Sequence, residues 1–401
     1  MKSKFPGYFK LNESEISSLW DKALFTLDAN ILLNLYRYSD ETKENFFKIL
    51  EKIKDRVWIP HQSAQEFFDN RLNEIGKQEK AYDDAVSALN SIETEFKNSR
   101  QHPFISSKLL KRYTALSEEI CKELTANKEF HNRRINDDDI LVRIEELFNG
   151  KVGNEFDNET IDKLCEEGKV RFANKIPPGY KDSDKKDDTE KDLRKYGDLI
   201  VWKQILAQAK ELKVNVILVT DDRKEDWWVR FKGKTVSPRP ELIKEFQSET
   251  EQLFHMYQSD RFLEFAGEYF KEAIDKKALD EIRELRLLDE RKRLQRIRKE
   301  EEYIKYRMSR ENLMKERMRL SDEIKFINDK RNHLEERLKD EYVILDNSDP
   351  SSYDDHKMIR IRHDLKAMEM REDELTNRLK EIEYRDMVER KRMNKTLHNN
   401  G

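Results

Sequence analysis

Cysteine is almost missing from this chain: two residues in 401, Cys121 and Cys165, sit in polar, helix-favouring text with no CxxC spacing and no flanking histidine pair. That excludes a disulfide framework and a zinc knuckle, and leaves reduced thiols in a cytoplasm as the expectation. Glycine (10) and proline (8) are scarce, which suits long solvated helices better than a large sheet-rich globule. Long apolar runs are also lacking. Val214 to Val219 is one of the longest and is far too short to span a bilayer, and Met1 to Lys10 is too polar for the apolar region of a signal peptide. A dominant charge sign is absent as well: the formal net charge is −4, so any grip on nucleic acid has to come from local patches. The chain reads as a cytoplasmic protein with no membrane partner.

What is present is charge, at 40% of residues, on a chain long enough for one catalytic domain and a second region of different build. Ala23 to Asp28 is a short apolar run closed by a carboxylate and followed by helical text from Asn30 to Tyr36. A second helix, Asp40 to Lys54, leads to the β-rich run Arg56 to Pro60, after which Gln62 to Phe68 opens another helix. From Arg71 to about Glu167 the text is polar and helix-favouring, with breaks near His102-Pro103, Asn136 to Asp139 and Asn149 to Asn154, and predicts an insert of three or four helices. Lys175 to Asp188 is loop by composition, Leu193 to Leu212 a strong helix, and Val214 to Val219 a buried strand ending in Thr220, Asp221 and Asp222. Alternating strands and helices predict a parallel α/β sheet whose strands end along one edge, where ligands bind. After Pro240 the pattern reads as wholly helical. Leu320, Ile324, Ile327, Leu334, Leu338 and Leu345, and then Met358, Ile361, Leu365, Met368, Leu375, Leu379 and Ile382, keep coiled-coil spacing on either side of a breaker at Asp346 to Ser352. They predict an antiparallel coiled-coil hairpin over 266–401 with its turn at about 346–356, while Asp275 to Lys299 needs another partner.

The chemistry lies in where the acids fall. Asp28 ends the first strand, Asp221 and Asp222 end the last clear one, Asp198 opens the helix before it, and Glu66 lies in the first turns of the helix after Trp58-Ile59. Carboxylates gathered at one sheet edge repel one another unless a divalent cation neutralises them, and hard oxygen donors favour Mg²⁺ or Mn²⁺. Such ions activate water for in-line attack on a phosphodiester.

The order of these residues resembles the PIN-domain superfamily. The resemblance lies in FTLDANILLNLYR around Asp28, IPHQSAQEFFDNR around Glu66, YGDLIVWKQI around Asp198 and VILVTDDRKEDWW around Asp221 and Asp222. PPGYKD at Pro177 to Asp182 and SPRPELIKEF at Ser237 to Phe246 are similar to the larger PIN-like proteins. The resemblance covers 1–265, interrupted by the insert at about 71–170, and gives no direct account of the coiled coil. It implies a metal-dependent nuclease with Asp28, Glu66, Asp198 and Asp222 as ligands, RNA favoured over DNA as substrate, and, by analogy, a place in phage defence or RNA surveillance. One rival reading is a PIN-like scaffold that binds nucleic acid or protein through its coiled coil, and another is a nuclease held off until a partner engages the coiled coil; a protein partner or self-association through that region is expected.

Each residue also has a plainer reading. Asp28 or Asp198 can cap a helix, and Glu66 can be an exposed acid favoured by the helix dipole. Thr-x-Asp at a strand end favours Asp222 as ligand, with Asp221 beside it or as a weaker ligand, and places the Thr220 hydroxyl to orient water or ligand. Asp226 reads as a neighbouring or surface acid, and Asp182 as either a site residue or part of a solvated loop. Lys181, Lys234 and Arg239 are candidates for phosphate contact or surface ion pairs. Trp227, Trp228 and His61 read as structural, and the basic run Arg291 to Lys299 as a solvated face.

Overall fold

The computed structural model describes residues 1, 4–98, 105–183, 193–347 and 355–398, which fall into two compact units, Met1–Leu288 and Asp289–Gly401. The break expected at His102-Pro103, most of the coiled-coil turn, and the second part of the loop from Lys175 lie outside the described residues.

In the first unit, helix α1 (Glu13–Lys22) leads into β1 (Leu24–Leu27), α2 (Ala29–Asn34), α3 (Asp40–Lys52) and β2 (Val57–Trp58). Four helices follow: α4 (His61–Lys97), α5 (Ser107–Arg133), α6 (Asp139–Phe148) and α7 (Asn158–Ala173). Then come α8 (Gly197–Leu212), β3 (Val216–Val219), a ribbon of β4 (Trp228–Phe231) and β5 (Lys234–Pro238), α9 (Pro240–Thr250), β6 (Phe254–Tyr257) and α10 (Ser259–Phe270). Helix α11 (Lys276–Asn347) begins in this unit.

The main sheet is parallel, in the order β2-β1-β3-β6. Phe25, Leu27, Ile217 and Val219 face one apolar core with α2, α3, α6 and α10. Val216, Leu218, Phe254 and Met256 face the other with Trp202, Ile205, Leu242 and Phe246. Alternate residues therefore bury on opposite faces, as the two-residue repeat of a strand requires. The chain passes from β1 outward to β2 and then back across to β3, so the topological switch lies between β1 and β3, where open α/β sheets bind ligands.

Two expectations are corrected. The text after Pro240 is not wholly helical, because β6 pairs in register with β3, Val216 opposite Phe254 through Val219 opposite Tyr257. Four residues containing His255 are too short and too polar to announce a strand, and pairing with β3 decides the outcome. The β4-β5 ribbon was not anticipated either; it turns on Lys232 and Gly233, whose positive φ values of 47° and 79° suit a tight hairpin. The helical insert has the expected number of helices, but they differ in role. The distal part of α4 pairs antiparallel with α5, Tyr113 Oη donating to the Leu89 carbonyl at 3.1 Å and Lys128 binding Asp83 at 2.8 Å. Helix α6 instead joins the main core through Ile140, Ile144, Leu147 and Phe148.

The stretch read as needing a partner finds one, at its start, in the first unit. Ile282 is buried in the main core. The Glu281 carboxylate accepts from the Ser39 amide (2.6 Å) and hydroxyl (2.6 Å) at the start of α3. Arg283 binds Asp260 at 2.9 Å, and Arg286 binds Asp260 as well.

In the second unit, α11 and α12 (Asp355–His398) bury Leu320, Ile327, Leu375 and Ile382 between them. Arg371 binds Glu323 and Arg378 binds Glu316, so rising numbers on one arm meet falling numbers on the other: the hairpin is antiparallel. Among the described residues no helix is long and apolar enough to cross a membrane.

If α11 roots in the first unit, Ile282→Ala should lower unfolding stability by about 2–4 kcal/mol, as a buried Ile truncation does. Leu287→Ala, at a side chain 47% exposed, should stay within about 0.5 kcal/mol. Urea denaturation followed by circular dichroism measures both.

Candidate active site

Asp28 is the residue that caps α2, yet its side chain makes no capping bond. Its Oδ2 instead accepts from the Thr220 hydroxyl at 2.6 Å and from the Asn30 side-chain amide. Asn30 also donates to Thr220 Oγ1 at 3.1 Å and accepts from the Asp221 backbone N–H at 3.0 Å, tying the ends of β1 and β3 together. The helix-cap reading of Asp28 therefore fails on geometry: the carboxylate is turned towards the end of β3.

Asp198 stands in the first turn of α8, which is preceded by Tyr196, so it is not the residue that caps that helix. Glu66 reaches the neighbouring turn, its Oε1 accepting from Gln62 at 3.1 Å. The approach depends on Gly197, where an added Cβ would stand 2.8 Å from Glu66 Oε1. Any larger residue would push the glutamate aside.

Asp222 extends from β3 and is fixed at both ends of its residue: its N–H donates to Thr220 Oγ1 (3.0 Å) and its Oδ1 accepts from the Lys224 N–H (2.8 Å). The Lys224 ammonium occupies the middle of the cluster, 2.8 Å from Asp182, 3.0 Å from Asp198 and 2.9 Å from Asp222. Sequence reasoning missed this residue; the signal available was a lone lysine two residues past Asp222, in TDDRKED.

Asp226, expected beside the ligands or at the surface, is fully buried. Its Oδ2 accepts from the backbone N–H groups of Gly179 and Lys181, both at 3.1 Å, so it clamps the PPGYKD loop that delivers Asp182. Gly179 has φ +92°, a left-handed backbone that strains any L side chain, and an added Cβ would also stand 3.2 Å from the Phe172 ring.

Asp221 is set apart from the cluster. Its carboxylate accepts from the Ser259 hydroxyl (2.7 Å) and from Asn34 (3.1 Å), and stands 3.7 Å from Arg286. Lys181 pairs with Glu225 at 2.8 Å and Arg239 with Glu241 at 2.8 Å. Trp227 and Trp228 are buried in the second core.

The electrostatics follow from this crowding. Burial, and then the charges of Glu66, Asp198 and Asp222, push the Asp28 carboxyl up to about 7 against the opposing Thr220 hydrogen bond. Asp226 rises to about 6, from burial first and then from Asp198. Asp222 is raised by burial and by Asp198 and pulled back by Lys224. Lys224, though burial works against its charge, is held well above the ordinary lysine range by Asp198, Asp222 and Asp182.

In kind, the donor set suits a hard divalent ion: the donors are partly to fully buried carboxylate oxygens, and burial together with neighbouring acids raises Asp28 to about 7. In spacing, the acids are arranged around an ammonium, and among the described residues no group of three or more His, Cys, Asp or Glu has the spacing to hold a metal ion. The chemistry of the donors therefore fits such an ion, while their spacing around the Lys224 ammonium does not yet gather them about one point.

The raised carboxyl of Asp28 binds a proton in the native state that the unfolded chain releases, so its contribution to stability declines as pH rises from the ordinary carboxylate value towards about 7. Asp28→Asn keeps an acceptor oxygen for Thr220 and Asn30 and removes the charge. In chelator-treated protein it should therefore melt higher than the unsubstituted protein at about pH 8, with the gap closing towards about pH 5. Thermal denaturation across that range is the measurement, and a lower melting point at pH 8 would contradict it.

Residues 24–242, more than half of the chain, match the family described as PIN like domain. No curated protein and no solved structure matches. With the acid-bearing strand ends in place at the switch point of a parallel sheet, that match establishes that the chain belongs to the PIN-like domain family, within a superfamily of nucleases.

Proposed function

We propose that the chain is a divalent-metal-dependent endonuclease that hydrolyses phosphodiester bonds, RNA in preference to DNA, with Asp28, Glu66, Asp198 and Asp222 holding Mg²⁺ or Mn²⁺. The observation that supports this reading best is Asp28. Burial first, and then the acidic charges of Glu66, Asp198 and Asp222, raise its carboxyl to about 7, and the part that comes from those charges is what a divalent cation would relieve. When bound, such ions supply Lewis-acid activation of water and of the phosphodiester. The protein's part is positional. Thr220 and Asn30 set the Asp28 rotamer, the Thr220 hydroxyl and the Lys224 backbone set Asp222, and Gly197 admits Glu66. The RNA preference rests on family likeness, and the coiled-coil hairpin supplies the surface for self-association or a protein partner.

One observation favours a second reading, a scaffold without catalysis: Lys224 already neutralises part of the cluster, as a resident ion pair would. Calorimetric titration with Mn²⁺ separates the two, because a scaffold of that kind would bind none at millimolar concentration.

For the nuclease, labelled single-stranded RNA, structured RNA and flapped DNA should be cleaved in Mg²⁺ or Mn²⁺ and left intact with chelator, RNA fastest. Asp28→Asn combined with Asp198→Asn should reduce cleavage to background. Cleavage that survives the double substitution would overturn the site assignment.

A further inference from the structure

We propose that Lys224 is an exchangeable cation: its ammonium gathers Asp182, Asp198 and Asp222 in the metal-free protein and yields Asp198 and Asp222 when a divalent ion enters. This rests on the metal-dependent reading above.

A lysine ammonium has three N–H donors and no acceptor; here it donates to Asp182 at 2.8 Å and to Asp198 at 3.0 Å, and stands in an ion pair 2.9 Å from Asp222. Two of those three, Asp198 and Asp222, belong to the set proposed to hold the ion. An ammonium and a divalent ion compete for the charge of these two carboxylates and repel each other, so metal entry favours release of these two contacts. The third partner, Asp182, lies outside that set, in the short turn Tyr180–Asp182. That turn is held independently by Asp226, which accepts the N–H groups of Gly179 and Lys181. Asp182 is thus a fixed anchor that can keep the displaced ammonium at the same sheet edge, as a counter-charge for substrate phosphate.

The local backbone suits such a shift. Lys224 lies between β3 and β4, outside any helix or strand, and its main chain is fixed by its N–H bond to Asp222 Oδ1 while the four-carbon stem remains a flexible tether. A lysine serving only structure would strengthen the fold and keep its carboxylate contacts whether or not a metal is supplied. One that exchanges strengthens the metal-free fold and weakens metal binding, and these two effects carry opposite signs.

The test uses the full chain, stripped with chelator, and Mn²⁺ alone as the probe. Lys224→Met should melt at a lower temperature than the unsubstituted protein without metal. It should bind Mn²⁺ about tenfold or more tightly, because two close ion pairs no longer have to be broken. At saturating Mn²⁺ its RNA cleavage should be slower than that of the unsubstituted protein. Equal or weaker Mn²⁺ affinity in a variant whose circular dichroism is unchanged would overturn the inference while leaving the metal site standing. Absence of Mn²⁺ binding by both proteins would overturn the metal-dependent reading, and this inference with it. Should the variant fail to fold, the unsubstituted protein provides the readout. The Lys224 ammonium resonance, protected from exchange in the metal-free state, should lose that protection with the same midpoint as Mg²⁺ binding. A resonance unmoved at Mg²⁺ saturation would overturn the exchange.

Discussion

Everything at the active edge follows from one constraint: carboxylates from distant parts of the chain share a site from which water is largely withdrawn, and their mutual repulsion has to be opposed. Asp28, Glu66, Asp198 and Asp222 arrive from the ends of β1 and β3 and the starts of α4 and α8. The parallel sheet gathers them because every strand finishes on the same edge, and the change in strand order between β1 and β3 opens the crevice there. Neutral donors, the Thr220 hydroxyl and the Asn30 amide, hold Asp28 in place without cancelling its charge. Lys224 supplies a positive charge to three of the other carboxylates. The repulsion among these acids is thus opposed by one buried ammonium and by neutral hydrogen-bond donors.

Adjacent acids divide between two tasks. Asp222 joins the cluster, whereas Asp221 turns towards Ser259, Asn34 and Arg286. Arg286 also holds Asp260 at the start of α10. The result is a second polar network behind the first, linking the end of β3 to α10 and to the root of α11. Helix α11 is thus tied, through Arg286, to Asp221, the residue next to Asp222.

Much of this was legible in the sequence. β1 and β3 announce themselves as apolar runs that end in acids, and the coiled-coil hairpin shows in the spacing of Leu320 to Leu345 and Met358 to Ile382. The hydrogen bond of Thr220 to Asp28 was not legible, because it depends on β1 and β3 lying side by side. Less was legible where long-range pairing or side-chain reach decides. Phe254–Tyr257 is a strand because β3 offers it an edge, not because of its own pattern. Lys224 is indistinguishable in the text from the surface lysines around it, since only the fold brings Asp182, Asp198 and Asp222 to within hydrogen-bonding distance of its ammonium. The division between Asp221 and Asp222 likewise depends on Ser259 and Arg286, residues well separated in sequence.

The most direct test of the central claim is anomalous diffraction from crystals soaked in Mn²⁺. A Mn²⁺ peak among Asp28, Asp198 and Asp222, with the Lys224 ammonium withdrawn from the latter two, is the predicted result. A structure in which Lys224 keeps all three of its carboxylates and no Mn²⁺ peak lies at the ends of β1 and β3 would contradict it.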